Sequence, residues 1–485
     1  MKRKFLNIAL IALLPFVFSC SEDRLDLEPE IGQIFTGDIK SEDQLKYATN
    51  AIYSALGTSS VFGADILIDG DLVSDNTFVA SANDGYYLTE SGMGWDAINN
   101  PFTGEWNGLY TVVQRTNVVI NENKLEQTTF VKSLKGEAKI IRGLAYFYLV
   151  QFFSPSIASG QNQEYGVPLV LKLSDTGAPV YQLSIPRSSI QEVYEQIIKD
   201  LEEGINEIGS IRENSKSFIG PEVGKYLLAK AYLTRGNPGD FEKAIALAEE
   251  VLNTGGDYEV LNPKNGTEYV NYFASQDPDI SENQKETLFE IPQTIKSNLS
   301  VNSHPGTFYS SSGEHKSLVL RKHVYDLFTA TDIRRNSMIL NGPVGDTPRG
   351  VWSRKWSHTT KEGKFTANIK VFRMTELKFI QLEALAKSGR NAEAQTKLDE
   401  FTDSRKAARY TTGDLLTNIL NEKRKEFFTE GHRFFDLKRN HLPINKLTNC
   451  TTCDVDANDK LFVMPINRVE LRKNPLMTQY PGWDK

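Results

Sequence analysis

Two helical stripes separated by a short turn constrain the fold of this 485-residue chain more than any other feature. Between residues 221 and 252, apolar side chains recur at helical spacing on both sides of Asn237-Pro238-Gly239-Asp240, a sequence typical of a tight turn. Small alanines within both stripes allow two helices to approach each other closely. The segment is therefore predicted to be a helical hairpin. Its two stripes consist of Tyr226, Ala229, Tyr232 and Leu233, followed by Ala244, Leu247, Ala248 and Val251.

A second segment, residues 373–401, repeats this pattern, with a turn at Ser388-Gly389-Arg390-Asn391. One such hairpin cannot bury its apolar face alone, so several are expected to stack, as in tetratricopeptide repeats. Helical periodicity elsewhere supports the same class, with Ser41 as an N-cap and Ser189 with Glu192 as a capping box. The sequence predicts a mostly α-helical fold in which tetratricopeptide-like hairpins form the scaffold.

Two irregular blocks interrupt the helical pattern. Residues 57–107 and 253–369 are rich in Gly, Asn and Ser, and no helical period persists through them. Such long loop-like segments are usually functional or disordered, and their scattered aromatic side chains argue against disorder. We expect long loops and short β segments in these blocks, and we expect those regions to carry a binding site.

The N-terminus has the features of an export signal. Lys2-Arg3-Lys4 precedes an apolar run from Phe5 to Phe18 that is shorter than the roughly 20 residues a bilayer span requires. Val17-Phe18-Ser19-Cys20 resembles a bacterial lipoprotein signal, in which the cysteine becomes the acylated N-terminus. The alternative is an ordinary signal peptide with an incidental cysteine.

These signals predict the domain organisation. Residues 1–19 form the signal peptide, 20–40 a lipid-anchored tether, and 41–485 a single domain. Within that domain we expect an N-terminal part (about 41–220), the two hairpins (221–252 and 373–401), an irregular binding block (253–369) and a C-terminal strap packed onto the body (440–485).

Net charge argues against a nucleic-acid partner. Removal of residues 1–19, with their three cations, lowers the formal net charge from −7 to −10. An acidic surface of this kind repels phosphates, and no stretch rich in Lys or Arg interrupts it.

Cys450 and Cys453 lie in a loop rich in Thr, Asn and Asp. A small disulfide formed in an oxidising compartment is the favoured interpretation. A zinc site, which would need two further ligands, and a thioredoxin-like redox pair are the alternatives.

Signatures of catalysis are missing from the sequence. No pair of carboxylates stands out for glycoside hydrolysis, and neither Gly-x-Ser-x-Gly nor His-Glu-x-x-His occurs. The six histidines do not show the spacing of a catalytic zinc site. We therefore predict a protein that is not an enzyme.

Several short motifs, taken together and in order, resemble those of the SusD-like (SusD/RagB) outer-membrane lipoproteins of Bacteroidetes glycan-uptake systems. The similarity covers essentially the whole mature length. After Cys20 the motifs are Trp106-Asn107-Gly108-Leu109-Tyr110, the segment 137–147, Gly166-Val167-Pro168-Leu169, Ile185-Pro186-Arg187-Ser188-Ser189, the segment 422–433, Asn474-Pro475-Leu476 and Gln479-Tyr480-Pro481-Gly482-Trp483.

This resemblance implies a binding protein with no chemistry of its own. It would be anchored to the outer membrane through Cys20, face the cell exterior, capture oligosaccharide with its loops, and act as the lid of a SusC-like TonB-dependent β-barrel transporter. Capture of another nutrient, such as peptides, is one alternative. A tetratricopeptide-type structural adaptor is the other.

If the ligand is an oligosaccharide, aromatic rings should contact apolar sugar faces, and Asn and Asp side chains should bind hydroxyl groups. Each aromatic could instead fill a small core under its loop, and Trp106, on a helical stripe, is assigned to the core. The candidate binding residues are Trp95, Tyr86, Tyr87, Asn76, Asp71, Tyr309, Trp352 and Trp356.

Two charged segments have simpler interpretations. Asp69, Asp71, Asp75 and Asn76 could bind hydroxyl groups or a calcium ion, but a solvated turn explains the same composition and is favoured. Charges from Glu422 to Lys425 are expected to form a solvated, salt-bridged helix face. Calcium is the only cofactor that the sequence suggests, and we expect none.

Overall fold

Helices are the dominant secondary structure of this computed structural model, which describes residues 39–172, 184–209 and 215–483. Within these ranges the α-helices are α1 Glu42–Leu56, α2 Asp65–Leu72, α3 Leu88–Gly92, α4 Thr103–Ile120, α5 Thr129–Phe153, α6 Ile190–Ile208, α7 Pro221–Arg235, α8 Asp240–Leu252, α9 Gly266–Ala274, α10 Pro278–Ser281, α11 Pro305–Tyr309, α12 Lys322–Tyr325, α13 Thr375–Lys387, α14 Asn391–Ser404, α15 Leu415–Phe427, α16 Arg433–Arg439 and α17 Arg468–Lys473. The mostly α-helical prediction is confirmed.

Short strands pair two by two and antiparallel in the described residues: β1 with β3, β2 with β8, β4 with β5, β6 with β7, and β9 with β10. The first pair joins the two irregular blocks, with Phe78 opposite Val319. The strands are β1 Thr77–Val79, β2 Thr287–Ile291, β3 Leu318–Leu320, β4 Met338–Ile339, β5 Trp352–Ser353, β6 Thr359–Thr360, β7 Gly363–Lys364, β8 Ile369–Arg373, β9 Ile444–Asn445 and β10 Asp454–Val455.

Both predicted hairpins form. Helices α7 and α8 are joined by a tight turn, and α13 packs against α8 and α14. Ala229, Ala244 and Ala248 are fully buried, as close helix approach requires. The stacking of hairpins supplies the buried partner that one hairpin lacks.

Local sequence signals place several helix ends correctly. The Ser41 side chain accepts a hydrogen bond from the Gln44 N–H at the start of α1. Ser189 and Glu192 form the reciprocal capping box that begins α6. Trp106 is buried on α4, so its assignment to the core is confirmed.

Helices α5 and α6 approach each other through two glycines. A Cβ atom on Gly204 would lie 2.7 Å from the carbonyl oxygen of Gly136, and a Cβ atom on Gly136 would lie 2.8 Å from that of Gly204. Only residues without side chains allow this backbone contact.

The first irregular block is more helical than its composition indicates. A π-helical segment, Ser59–Gly63, leads into α2, and α3 follows further on. Asp and Gly are weak helix formers, and α2 is stabilised by burial of Ile66, Leu67 and Ile68 instead.

The charges from Glu422 to Lys425 lie on α15 and are buried, which corrects the prediction of a solvated face. Glu422 is fully buried, and Lys425 is 3% exposed. The Glu422 carboxylate pairs with Arg334 Nη2 and with Lys425 Nζ, each at 2.5 Å. Opposite charges from α15 and the second irregular block therefore satisfy one another inside the protein.

The C-terminal strap is packed onto the body, as predicted. Met464 and Ile466 are fully buried, and the Trp483 indole N–H donates to the Val463 carbonyl oxygen at 2.7 Å.

In the described part of the chain no single helix has both the length and the apolarity of a membrane span. Helix α1 and the helical segment 59–72, which are bent by 41° relative to each other, together have only the length and composition of a span.

Candidate functional site

The structure brings the two irregular blocks together into one surface. Beyond the pairing of β1 with β3, the Ser81 N–H donates to Asp346 Oδ1 at 3.1 Å. Asp84 Oδ2 lies 2.9 Å from His315 Nδ1. Loops distant in the sequence thus lie side by side, which a single binding site formed by both blocks would require.

Three rings form the centre of this surface. The Phe308 and His315 rings are stacked with centroids 4.6 Å apart, and the Tyr86 ring lies 4.8 Å from His315 and 5.4 Å from Phe308. Phe308 is fully buried, whereas Tyr86 is 36% exposed. Tyr86 is therefore an accessible ring supported by a buried stack. We call Asp84, Tyr86, Asn302, Phe308 and His315 the aromatic platform.

Polar groups border the exposed ring. The Asp84 side chain is 60% exposed, and Asn302 Oδ1 lies 3.2 Å from His315 Nε2. Asn83 fixes the loop, since its Nδ2 donates to the Ala80 carbonyl and its Oδ1 accepts from the Gly85 N–H. A ring bordered by carboxylate and amide groups can cover an apolar face of a ligand while hydrogen-bonding its hydroxyl groups.

The Tyr87 side chain holds the same loop against the protein interior. Its backbone adopts a left-handed φ of 58°, unusual for an aromatic residue, which turns its ring inward against Phe308 at 5.2 Å. Its hydroxyl donates to Asp65 Oδ1 at 2.8 Å. Tyr87 therefore belongs to the support of the platform and lies beneath its accessible face.

Buried carboxyl groups lie under this loop. Burial raises the pKa of Asp65 to about 6, of Glu90 to about 7 and of Glu105 to about 8. The pKa of Asp69 is also raised well above its ordinary value, first by burial and then by the charge of Glu105. Desolvation favours the neutral acids, because ionised carboxylates lose hydration here.

The structure corrects four of the predicted aromatic binding residues. Trp95 is 3% exposed and packs edge-on against Phe102. Tyr309 is fully buried and stacks on Trp356, whose indole N–H donates to the Thr429 carbonyl oxygen. Burial leaves these rings no face for a ligand.

Trp352 is the fourth, and it packs in a buried cluster with Phe78, Ala80 and Val319. Its cluster lies under the junction of the two blocks, so the simpler alternative, a small core beneath the loops, applies to all four residues. Of the predicted aromatics, Tyr86 alone has an exposed ring.

Asp71 and Asn76 are also corrected, since both are buried and lie in no solvated turn. Asn76 Nδ2 donates to Asp71 Oδ1, and Asn76 Oδ1 accepts from Arg424 Nε, both at 2.7 Å. The Gly431 N–H donates to Asp71 Oδ2. These residues attach α2 to the junction of α15 and α16, from which they are separated by about 350 residues.

Asp75 pairs with Arg424 and Arg433, which hold the pKa of its carboxyl well below the ordinary range. In the described ranges, no group of three or more His, Cys, Asp or Glu side chains is placed to hold a metal ion. Two cations of the chain therefore satisfy Asp75, and the calcium alternative stays a prediction.

The structure joins Cys450 and Cys453 in a disulfide with a Cα–Cα distance of 5.3 Å. The intervening Thr451 and Thr452 N–H groups donate to the Gly92 carbonyl oxygen. Cys20, the predicted lipidation site, lies outside the described residues.

Sequence reasoning missed Asp84, Asn302 and His315 as members of the site. Asp84 and His315 are 231 residues apart, and neither belongs to a periodic pattern. The clustering of aromatic and imidazole side chains in the second block is the one signal that points toward them.

Stacked helical hairpins that present loops with an exposed, supported ring make this a helical-scaffold protein whose candidate site lies on loops. A SusD-like family model described as "Starch-binding associating with outer membrane" matches residues 23–220, and the SusD family model matches residues 264–483. The chain belongs to the SusD/RagB family.

Individual proteins agree with this assignment. A SusD-like protein of Bacteroides ovatus is 27% identical over 270 residues, which span 53% of this chain and 45% of that relative. SusD-like protein P38 of Formosa agariphila is 22% identical over 92% of this chain and 95% of its own length. A SusD superfamily structure from Bacteroides vulgatus, 23% identical, superimposes with a TM-score of 0.80 and covers 92% of this chain and all of that one.

Proposed function

We propose that this protein is a nutrient-binding protein that captures oligosaccharides on the aromatic platform. The observation that carries the proposal is the partly exposed Tyr86 ring, supported by the stacked Phe308–His315 pair. Membership of the SusD/RagB family, one of whose matching models is described as starch-binding, supports a glycan as the ligand class.

The platform suits a sugar for two reasons. An aromatic ring offers an apolar face to the C–H groups of a pyranose, and the bordering Asp84 and Asn302 offer acceptors and donors to its hydroxyl groups. Buried support fixes the Tyr86 ring before binding, which lowers the entropy lost when a ligand is immobilised.

Delivery completes the proposed role. The protein would hand the captured glycan, without cleaving it, to a SusC-like TonB-dependent transporter, for which it acts as the lid. It would do so from the outer face of the outer membrane, tethered through acylated Cys20. The family description, which names association with the outer membrane, supports this location. Incorporation of labelled palmitate that is lost in Cys20→Ala tests the anchor.

Calorimetry with maltooligosaccharides and a panel of other glycans tests the binding site. Tyr86→Ala should weaken binding about tenfold or more, because the accessible ring is lost. Tyr47→Ala is the matched control, since Tyr47 on α1 is 63% exposed and lies outside the platform.

Equal affinities of the two variants for a bound glycan would refute the assignment to the platform. Binding of peptide mixtures in place of glycans, lost in Tyr86→Ala, would keep the site and change the ligand class. Absence of any small ligand, with a protein bound to the helical face, would favour a structural adaptor.

A further inference from the structure

A second pocket lies between the α13–α14 hairpin, the C-terminal end of α8 and the segment 258–262. Its volume is about 470 Å³, within the range of small-molecule sites. None of its lining residues belongs to the aromatic platform. Its walls combine apolar side chains, such as Leu382 and Phe401, with amides, such as Asn262.

Two lysines face this pocket from the two helices of one hairpin, Lys378 on α13 and Lys397 on α14. Within the described ranges neither ammonium group has a hydrogen-bond partner or an acidic partner within 4.0 Å. The pKa of Lys378 is lowered, first by burial and then by the positive charge of Lys397, and Glu400 offsets this only in part. The hairpin thus holds two cations close together without a bound counter-charge.

A third cation lines the same pocket. Arg405 is 1% exposed, and its Nε and Nη1 atoms donate to Glu426 Oε2 and Ser404 Oγ. Its Nη2 atom is buried and has no hydrogen-bond partner in the described structure. Two carboxylates, Glu259 and Glu400, also line the pocket, but neither pairs with these cations. A buried N–H group of this kind normally has an acceptor, and the structure supplies none.

We propose that this pocket is a second binding site, specific for a small molecule that carries an oxyanion group. A carboxylate, sulfate or phosphate placed between Lys378 and Lys397 would offset their mutual repulsion and form charge-assisted hydrogen bonds with both. The remaining volume and the amide groups can accept a polar ring attached to that group. The site does not depend on the platform and does not rest on its proposed function.

Calorimetry on the full mature chain tests the site with four probes: inorganic sulfate, inorganic phosphate, glucuronate and uncharged glucose. An anionic probe should bind, and Lys378→Ala and Lys397→Ala should each weaken its binding about tenfold, while Lys378→Arg retains most of it. Glucose should not bind here. Lys46→Ala is the matched control, since Lys46 is an exposed lysine on α1.

The probes also distinguish the source of the anion. Glucuronate that binds about tenfold more tightly than the inorganic ions would indicate an acidic sugar, and equal affinities would indicate a free anion. Failure of every anion to bind, or equal binding to both lysine variants and the control, would overturn the proposal. Tyr86→Ala should leave anion binding unchanged, so the two proposed sites are tested independently of each other.

Discussion

The rings of Phe308 and His315 stack with their centroids 4.6 Å apart and their planes inclined by 11°. The pair joins the buried interior to the surface, because Phe308 is fully buried while His315 contacts the partly exposed Tyr86 ring. His315 also reaches Asp84 and Asn302 through its two ring nitrogens. One imidazole therefore positions both the ring and the polar border of the candidate site.

His315→Ala should weaken glycan binding about threefold to tenfold while the protein stays folded, because Tyr86 loses an aromatic contact of about 0.5–1.5 kcal/mol. Calorimetry with the ligand that the glycan panel identifies measures the effect. His315→Phe keeps the stack and removes the polar contacts, so an intermediate affinity is expected. Unchanged affinity in His315→Ala would show that the stack does not support the site.

The buried acids beneath Tyr87 should make stability depend on pH. The pKa values of Asp65, Glu90 and Glu105 in the folded protein, about 6, 7 and 8, lie above their ordinary values of about 4. The folded state therefore binds more protons than the unfolded state in that interval, so this contribution to stability is full near pH 4 and is lost as pH rises toward 8.

Glu105→Gln should accordingly raise the Tm at pH 8 relative to the unmodified protein and flatten the fall in Tm between pH 5 and pH 8. Thermal unfolding followed by circular dichroism provides the measurement. Exposed Glu126→Gln serves as the control and should leave the profile unchanged. If Glu105→Gln lowered the Tm equally at pH 5 and pH 8, the assignment of Glu105 as a neutral, buried acid would be contradicted.

Removal of one partner from the buried ion network around α15 should be strongly destabilising. Arg373 Nη1 lies 3.0 Å from both Glu286 Oε1 and Glu426 Oε1, and its Nε atom lies 2.6 Å from Glu430 Oε2. Arg373→Met removes the cation that these three carboxylates share and should lower the free energy of unfolding by about 3–5 kcal/mol.

Urea unfolding measures that loss. Arg409→Ala, which removes an exposed ion pair with Asp403, is the control and should have little effect. The network would be energetically unimportant if both substitutions had the same small effect. Two of these carboxylates, Glu426 and Glu430, predict a loss of stability in acid, since nearby cations hold the pKa of each below its ordinary value.

The close contact between α5 and α6 predicts that a side chain at Gly204 lowers the stability of the fold. Gly204→Ala places a methyl group 2.7 Å from a backbone oxygen, so the helices must separate, at a cost of about 1–3 kcal/mol. Gly94→Ala is the matched control because a Cβ atom there would meet no atom within 4 Å. Equal Tm values for the two variants would mean that the helix pair adjusts without strain.

Local sequence determined the two hairpins, the N-cap at Ser41 and the capping box at Ser189, because each depends on a 3.6-residue period or on contacts within one turn. The order of short motifs likewise indicated the SusD/RagB family, which the family models confirm.

Tertiary structure alone decided which loop aromatics are exposed and which charges are buried. Trp95 and Tyr86 stand in the same irregular block, yet Trp95 is 3% exposed, whereas Tyr86 is 36% exposed and packs against Phe308 and His315 of the other block. Asn76 and its partner Arg424 are 348 residues apart. Burial and ion pairing are sums over such distant neighbours, and no local pattern in the sequence contains them.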